Sequence, residues 1–134
     1  MRCIIARTLM ERLVAEAAAS PHVEICGLLF GTRDRIMSAA GAANVARDPE
    51  RRFEVDPAAL FAAMRAERAG GPAVIGHYHS HPTGHATPSP RDAAQAHEQD
   101  RLWLILTPIR ARLWRSQRGG SIEGAFDPVD MDIQ

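Results

Sequence analysis

Apolar residues recur at two spacings along this chain, and the switch between them marks out short helices and strands. Leu9, Leu13 and Ala17 lie four residues apart behind Thr8 and Glu11, the hydroxyl and carboxylate of a capping box. They predict a helix that opens at Thr8 and ends before Pro21. Cys26 to Phe30, an apolar run between Glu24 and Gly31, predicts a buried strand. Ile36 to Val45 is its expected antiparallel partner across a turn at Thr32-Arg33-Asp34, although Gly41 and the alanines are poor strand formers. Asp56 and Pro57 supply an N-cap and a first helical position for a second helix. Val55 and Leu60 are spaced as a hydrophobic staple, Leu60, Phe61 and Met64 are its expected buried face, and Gly70-Gly71 its end. Ala73 to Ser80 reads as a strand, and Ser89-Pro90 starts a third helix. Leu102 to Thr107 and Arg110 to Arg115 read as two further strands. Ser121 to Phe126 is expected to pair with the latter through Gly119-Gly120, and the acidic stretch from Asp127 shows no distinct pattern. The expectation is an α/β fold: one domain over residues 1–134, a mixed β-sheet of about six strands packed with helices.

Composition narrows the function. The 16 basic and 16 acidic residues cancel, which argues against a nucleic-acid binder working through a broad basic surface. No apolar run approaches the roughly 20 residues that cross a bilayer. The opening Met-Arg-Cys-Ile-Ile-Ala-Arg is interrupted by charge too soon for a signal peptide, so a cytoplasmic location is expected, with no membrane partner. Two cysteines, Cys3 and Cys26, are too few for a disulfide framework and sit among aliphatic residues, as buried free thiols do. Nothing in the pattern sets an oligomeric state.

The chemistry concentrates in one segment. Four of the six histidines, His77, His79, His81 and His85, fall between positions 77 and 85. Alternate residues of a strand share a face, so His77, His79 and His81 would line one side of the strand's C-terminal end. Pro82 keeps His81 extended and within that alternation. Two imidazoles so placed can meet one zinc ion, whose catalytic sites take three protein ligands and keep one position for water. A third ligand is less plain. Ser89 and Asp92 form a capping box, which suffices to explain both, yet a helix start also points side chains into the space it faces. Glu24, just before the buried strand, is either a solvated residue or a carboxylate presented to the site. Gly27 leaves room for another backbone to approach.

The spacing His79-x-His81, seven residues, Ser89, two residues, Asp92 resembles the JAMM motif of the MPN metallopeptidases without a gap. Glu24 followed by Cys26-Gly27-Leu28-Leu29 resembles the family's upstream glutamate segment, and Asn44, Phe53, Asp56 and Pro57 the stretch between. The resemblance spans nearly the whole chain and implies an MPN/JAB (cytidine-deaminase-like) fold. By position it implies one Zn2+ on His79, His81 and Asp92, with Glu24 as general base and Ser89 stabilising the oxyanion. His77 and His85 fall outside the motif, as supporting or surface residues. Short bacterial members are linked to ubiquitin-like sulfur carriers with β-grasp domains ending in Gly-Gly. The resemblance therefore implies a peptidase or isopeptidase acting on an amide at such a tail, with the carrier as substrate and partner.

Two other zinc chemistries lack their residues. A nucleoside deaminase needs a Pro-Cys-x-x-Cys element and no cysteine follows Cys26, while the His-Glu-x-x-His helix is absent. A zinc amidohydrolase acting on small molecules, and a catalytically idle MPN scaffold, are the remaining alternatives. Every motif position being filled speaks against the scaffold.

Overall fold

The computed structural model describes residues 1–134. In chain order the elements are β1 (Arg2–Ile5), α1 (Arg7–Ala18), β2 (Cys26–Thr32), β3 (Arg35–Ala42), α2 (Pro57–Arg68), β4 (Val74–Ser80), α3 (Pro90–Gln95), β5 (Leu102–Leu106), β6 (Ala111–Ser116) and β7 (Phe126–Ile133). The strands lie in the order β1-β3-β2-β4-β5-β6-β7, and the sheet closes because β1 pairs in parallel with both β3 and β7. β4 and β5 are also parallel, and the remaining pairs are antiparallel.

All five residues of β5 are buried, as expected of a central strand covered on both faces. Leu102, Leu104 and Leu106 join Cys3, Ile5, Leu29, Tyr78 and the α1 residues Leu13 and Ala17 in the main core. Trp103 and Ile105 point the other way, into a second cluster with Cys26, Phe53, Trp114 and Phe126. In β4, His77 and His79 face this second cluster and Tyr78 faces the first, so strand alternation alone puts the histidines opposite α1. Gly27 permits the close approach its position suggested: a Cβ there would collide with the Ala40 carbonyl and the Tyr78 ring.

Several expectations need correction. The strands number seven, and the unforeseen one is β1. Thr8 does not cap α1. The N-cap is Ala6, with no side-chain cap, and the Arg7 N–H donates to the Gln134 carbonyl at 3.2 Å, so the end of the chain satisfies that helix start. Ser121 to Ala125 is a turn, and the last strand begins at Phe126 and runs through the acidic stretch, with Asp130 opposite Arg2. In α2, Asp56 caps as expected by accepting the Ala58 N–H at 3.1 Å, and Gly70, at φ +96°, ends the turn. Its expected buried face is wrong: Phe61 and Met64 are 56% and 41% exposed, and only Leu60 is half-buried. Both cysteines are buried and free. No helix is long and apolar enough to cross a membrane.

Candidate metal and catalytic site

The carboxyl end of β4, the start of α3 and the entrance to β2 meet at one point. β2 and β4 run antiparallel with Cys26 opposite His79, which carries Glu24 beside the histidines although 55 residues separate it from His79 in the chain. Two side chains fix that entrance. Ser80 accepts the Ile25 N–H on its hydroxyl at 2.9 Å, and Asn44 donates to the Glu24 carbonyl at 2.8 Å. Asn44 also accepts the N–H groups of Ala46 and Glu54, tying the 43–56 loop to the same place.

The nitrogens His79 Nε2 and His81 Nε2 lie 3.1 Å apart. Asp92 Oδ1 is 3.2 Å from the first, and Asp92 Oδ2 is 3.2 Å from the second. Ligand atoms on a tetrahedral zinc, with bonds of about 2.0–2.2 Å, are separated by roughly 3.3–3.6 Å. The two imidazole nitrogens and the Asp92 carboxylate, one oxygen against each ring, are thus gathered near the spacing that one such ion requires. Glu24 also belongs to the cluster, with a carboxylate oxygen and nitrogens of His79 and His81 all within 4.8 Å of one another.

Each ring is oriented. His81 Nδ1 donates to the His85 carbonyl at 2.7 Å, so the lone pair is left on Nε2, facing the cluster. His79 Nδ1 is buried without a partner, and packing holds that ring instead: Phe53 stacks on it with centroids 4.1 Å apart and planes 16° from parallel. His77 does not reach the cluster. Its ring lies against Trp103 at 4.2 Å, and burial, helped by His79, pushes its pKa down to about 3, so it packs as a neutral ring.

Asp92 serves two structures at once. Its Oδ2 accepts the Ser89 N–H at 2.9 Å, and its own N–H donates to Ser89 Oγ at 3.1 Å, completing the capping box on α3. Burial would raise its pKa, but the contacts of its two oxygens with the His79 and His81 rings outweigh that and hold it well below the usual carboxylate range. Burial is the largest effect on both rings, and it wins at His79, which is lowered; at His81 the Asp92 carboxylate and His85 carbonyl prevail and raise it. Glu24 is pushed up to about 7, chiefly by burial. Because Ser89 Oγ is already an acceptor in the cap, its own proton remains free to donate into the groove that Ser89 lines with Glu24, His81 and Arg91.

The description "Prokaryotic homologs of the JAB domain" matches residues 6–118. The chain belongs to this JAB family. It is 34% identical over 94 residues to a protein named desampylase from Haloferax volcanii, covering 69% of this chain and 68% of that relative. It is 35% identical over 92 residues to a probable TtuB-protein conjugate cleaving protease from Thermus thermophilus, covering 69% of this chain and 62% of that one. Among solved structures, a protein from Desulfitobacterium hafniense superposes with a TM-score of 0.81 at 24% identity, covering 100% of this chain and 93% of the other. A JAB1/MPN domain protein from Archaeoglobus fulgidus gives 0.61 at 16% identity, with 98% of each chain covered. These likenesses bear out the expected JAB/MPN fold.

The fold brings together all five residues singled out in the sequence: Glu24, His79, His81, Ser89 and Asp92. Ser80 is the supporting residue that the sequence did not reveal. Its only signal is a hydroxyl at a buried strand position between two histidines, on the face opposite theirs. Phe53 and Asn44 entered only through the family resemblance, and the geometry now gives each a task.

Proposed function

We propose that this JAB domain is a zinc peptidase that hydrolyses an amide bond formed by the C-terminal glycine of a ubiquitin-like β-grasp carrier protein. The observation that carries the reading is the triangle of His79 Nε2, His81 Nε2 and the Asp92 carboxylate, with sides of 3.1 and 3.2 Å, beside Glu24 and Ser89. His79, His81 and Asp92 would hold the ion. Zinc, when bound, supplies Lewis acidity and lowers the pKa of water to about 7.

The remaining work falls to two side chains. Glu24, whose carboxylate lies in the cluster with His79 and His81, takes a proton from the attacking water and returns one to the leaving amine. Ser89 donates its free hydroxyl proton to the oxygen that gains charge as the carbonyl becomes tetrahedral. Neither cysteine is needed as a nucleophile, and burial first, then Glu24, raises the Cys26 thiol to about 11.

The names of the relatives, a desampylase and a TtuB-conjugate protease, support a carrier substrate. So does the groove of about 480 Å³ over Glu24, His81 and Ser89, whose other walls are Pro82, Gly84 and Pro90 with polar and charged side chains. A Gly-Gly tail suits it, because glycine has no side chain to keep the backbone from the metal. The exposed Phe61 and Met64 of α2 offer apolar surface to the carrier's folded body, so that binding energy is gained away from the scissile bond.

The test is to incubate the protein with β-grasp carriers of the same genome, each extended beyond Gly-Gly, and to weigh the products by mass spectrometry. Cleavage directly after Gly-Gly, stopped by a chelator and by Glu24→Gln, is expected. Intact carriers together with hydrolysis of a small amide would establish the small-molecule amidohydrolase instead.

A further inference from the structure

Arginines flank the catalytic groove on both sides, Arg51 and Arg91 within it and Arg110 and Arg112 in a groove beside it. A second groove, of about 600 Å³, lies between the loop that follows β4 and the β5–β6 hairpin, and shares Pro82, Thr83 and Gly84 with the catalytic one. Arg110 and Arg112 line it, both are exposed, and no Asp or Glu belongs to its lining. The ion pairs of the molecule engage Arg12, Arg33, Arg101 and Arg115 on the arginine side, and neither Arg110 nor Arg112.

The Arg110 backbone and the Arg112 side chain are each held in place. Thr107 N–H donates to the Arg110 carbonyl at 2.8 Å, and Arg110 N–H donates to Thr107 Oγ1 at 3.2 Å, so a tight turn fixes the Arg110 backbone. The Arg112 guanidinium lies 4.6 Å above the Trp114 ring, which restrains the side chain and leaves its charge facing out. Ile109, 86% exposed, sits beside them. The strand order β2-β4-β5-β6 puts Glu24 on one side of β4 and this hairpin on the other. The two grooves meet at Pro82, Thr83 and Gly84, with Glu24 and the hairpin on opposite sides of β4.

We propose that this second groove binds acidic side chains of the polypeptide released by cleavage, through Arg110 and Arg112. The proposal rests on the reading that the reaction is hydrolysis after a carrier's terminal glycine, and adds to it a preference on the leaving side. Charge complementarity selects the occupant: two exposed guanidinium groups outside the ion pairs of the molecule favour carboxylates and oppose lysine-rich segments.

The experiment compares three carrier fusions that differ only in an acidic, neutral or basic hexapeptide after Gly-Gly. For the wild-type enzyme KM is expected to be about three- to tenfold lower for the acidic than for the basic fusion, the scale of two exposed ion pairs, with kcat little changed. High salt should erase the difference. The Arg110→Glu/Arg112→Glu variant should reverse the order, and Arg110→Gln/Arg112→Gln should abolish it. Equal KM values for the three fusions in the wild-type enzyme overturn the proposal while leaving the hydrolysis intact. Failure to cleave any fusion overturns the hydrolysis, and a second measurement then decides the groove. In that measurement free acidic and basic hexapeptides are titrated into 15N-labelled protein. Shifts at Ile109 to Arg112 with the acidic peptide alone support the groove, and no shift or equal shifts overturn it.

Discussion

Asp92 and Ser89 each hold the other: the carboxylate accepts the Ser89 N–H, and the hydroxyl accepts the Asp92 N–H. The cap that starts α3 is thereby also the brace that aims Asp92 at two imidazoles. Asp92→Ala should therefore lose the metal and destabilise α3, whereas Asp92→Asn should keep most of the cap and still lose metal affinity. Zinc content by mass spectrometry, read beside thermal unfolding, separates the two effects. Full zinc occupancy in Asp92→Ala would leave the carboxylate with a capping role only.

Ser89→Ala removes the proposed oxyanion donor while Asp92 stays in place. Turnover should fall by about 10²–10³, the usual consequence of losing one such donor. The lost cap should cost about 1 kcal/mol of stability. Both are measured on zinc-loaded protein, and an unchanged kcat would move the oxyanion donor elsewhere.

The histidines should not respond alike. His79→Ala and His81→Ala are expected to abolish zinc binding. His85→Ala should leave it intact, because His81 Nδ1 is held by the His85 main-chain carbonyl, which alanine retains. Loss of zinc in His85→Ala would mean that its side chain, which is exposed, does more than this contact indicates.

Phe53 supports the site through packing alone. It is 5% exposed and stacks on His79 while meeting Trp103 edge-on. Phe53→Ala should cost about 3–5 kcal/mol, the range for an emptied aromatic core position. It should also weaken zinc binding by freeing a ring whose Nδ1 has no partner to hold it. Competition with a chromogenic chelator measures the affinity, and Phe53→Tyr, which keeps the ring, should restore most of it.

The site was legible because most of it is local. Strand alternation aligns His79 with His81, and a helix start brings in Ser89 and Asp92 within the same stretch of chain. Glu24 was only one candidate from its place before a buried strand, since its arrival depends on the β2–β4 register, and the family resemblance favoured the site over a solvated residue. Elements at the chain ends were lost for a related reason. β1 and β7 pair in parallel with no tight turn between them, and the acidic residues of β7 masked its strand pattern. Thr8 misled because a backbone carbonyl from Gln134 replaced the expected side-chain cap. In α2 the apolar residues obey helical spacing, but no element covers Phe61 and Met64, and periodicity cannot tell a buried face from an exposed one.

Glu24 should make the metal-free protein less stable as pH rises. Its folded pKa of about 7 lies above its ordinary value of 4.5, so between those two values the folded state holds a proton that the unfolded state has released. Unfolding then releases protons, and stability falls as pH rises through that window and levels off above it. The cause is burial of a carboxylate 6% exposed, which resists taking its charge out of water. Glu24→Gln removes that charge. In chelator-treated protein it should raise stability by about 1–3 kcal/mol at pH 8 and change it little at pH 4. Urea unfolding of both proteins at the two pH values measures the difference. The same substitution should retain zinc and abolish nearly all turnover, because an amide cannot accept the proton of the attacking water. A residue that costs the fold stability and is required for the reaction is one held in place for its chemistry. Equal stability of the two proteins at pH 8, together with normal turnover, would remove Glu24 from the mechanism and return it to an ordinary buried side chain.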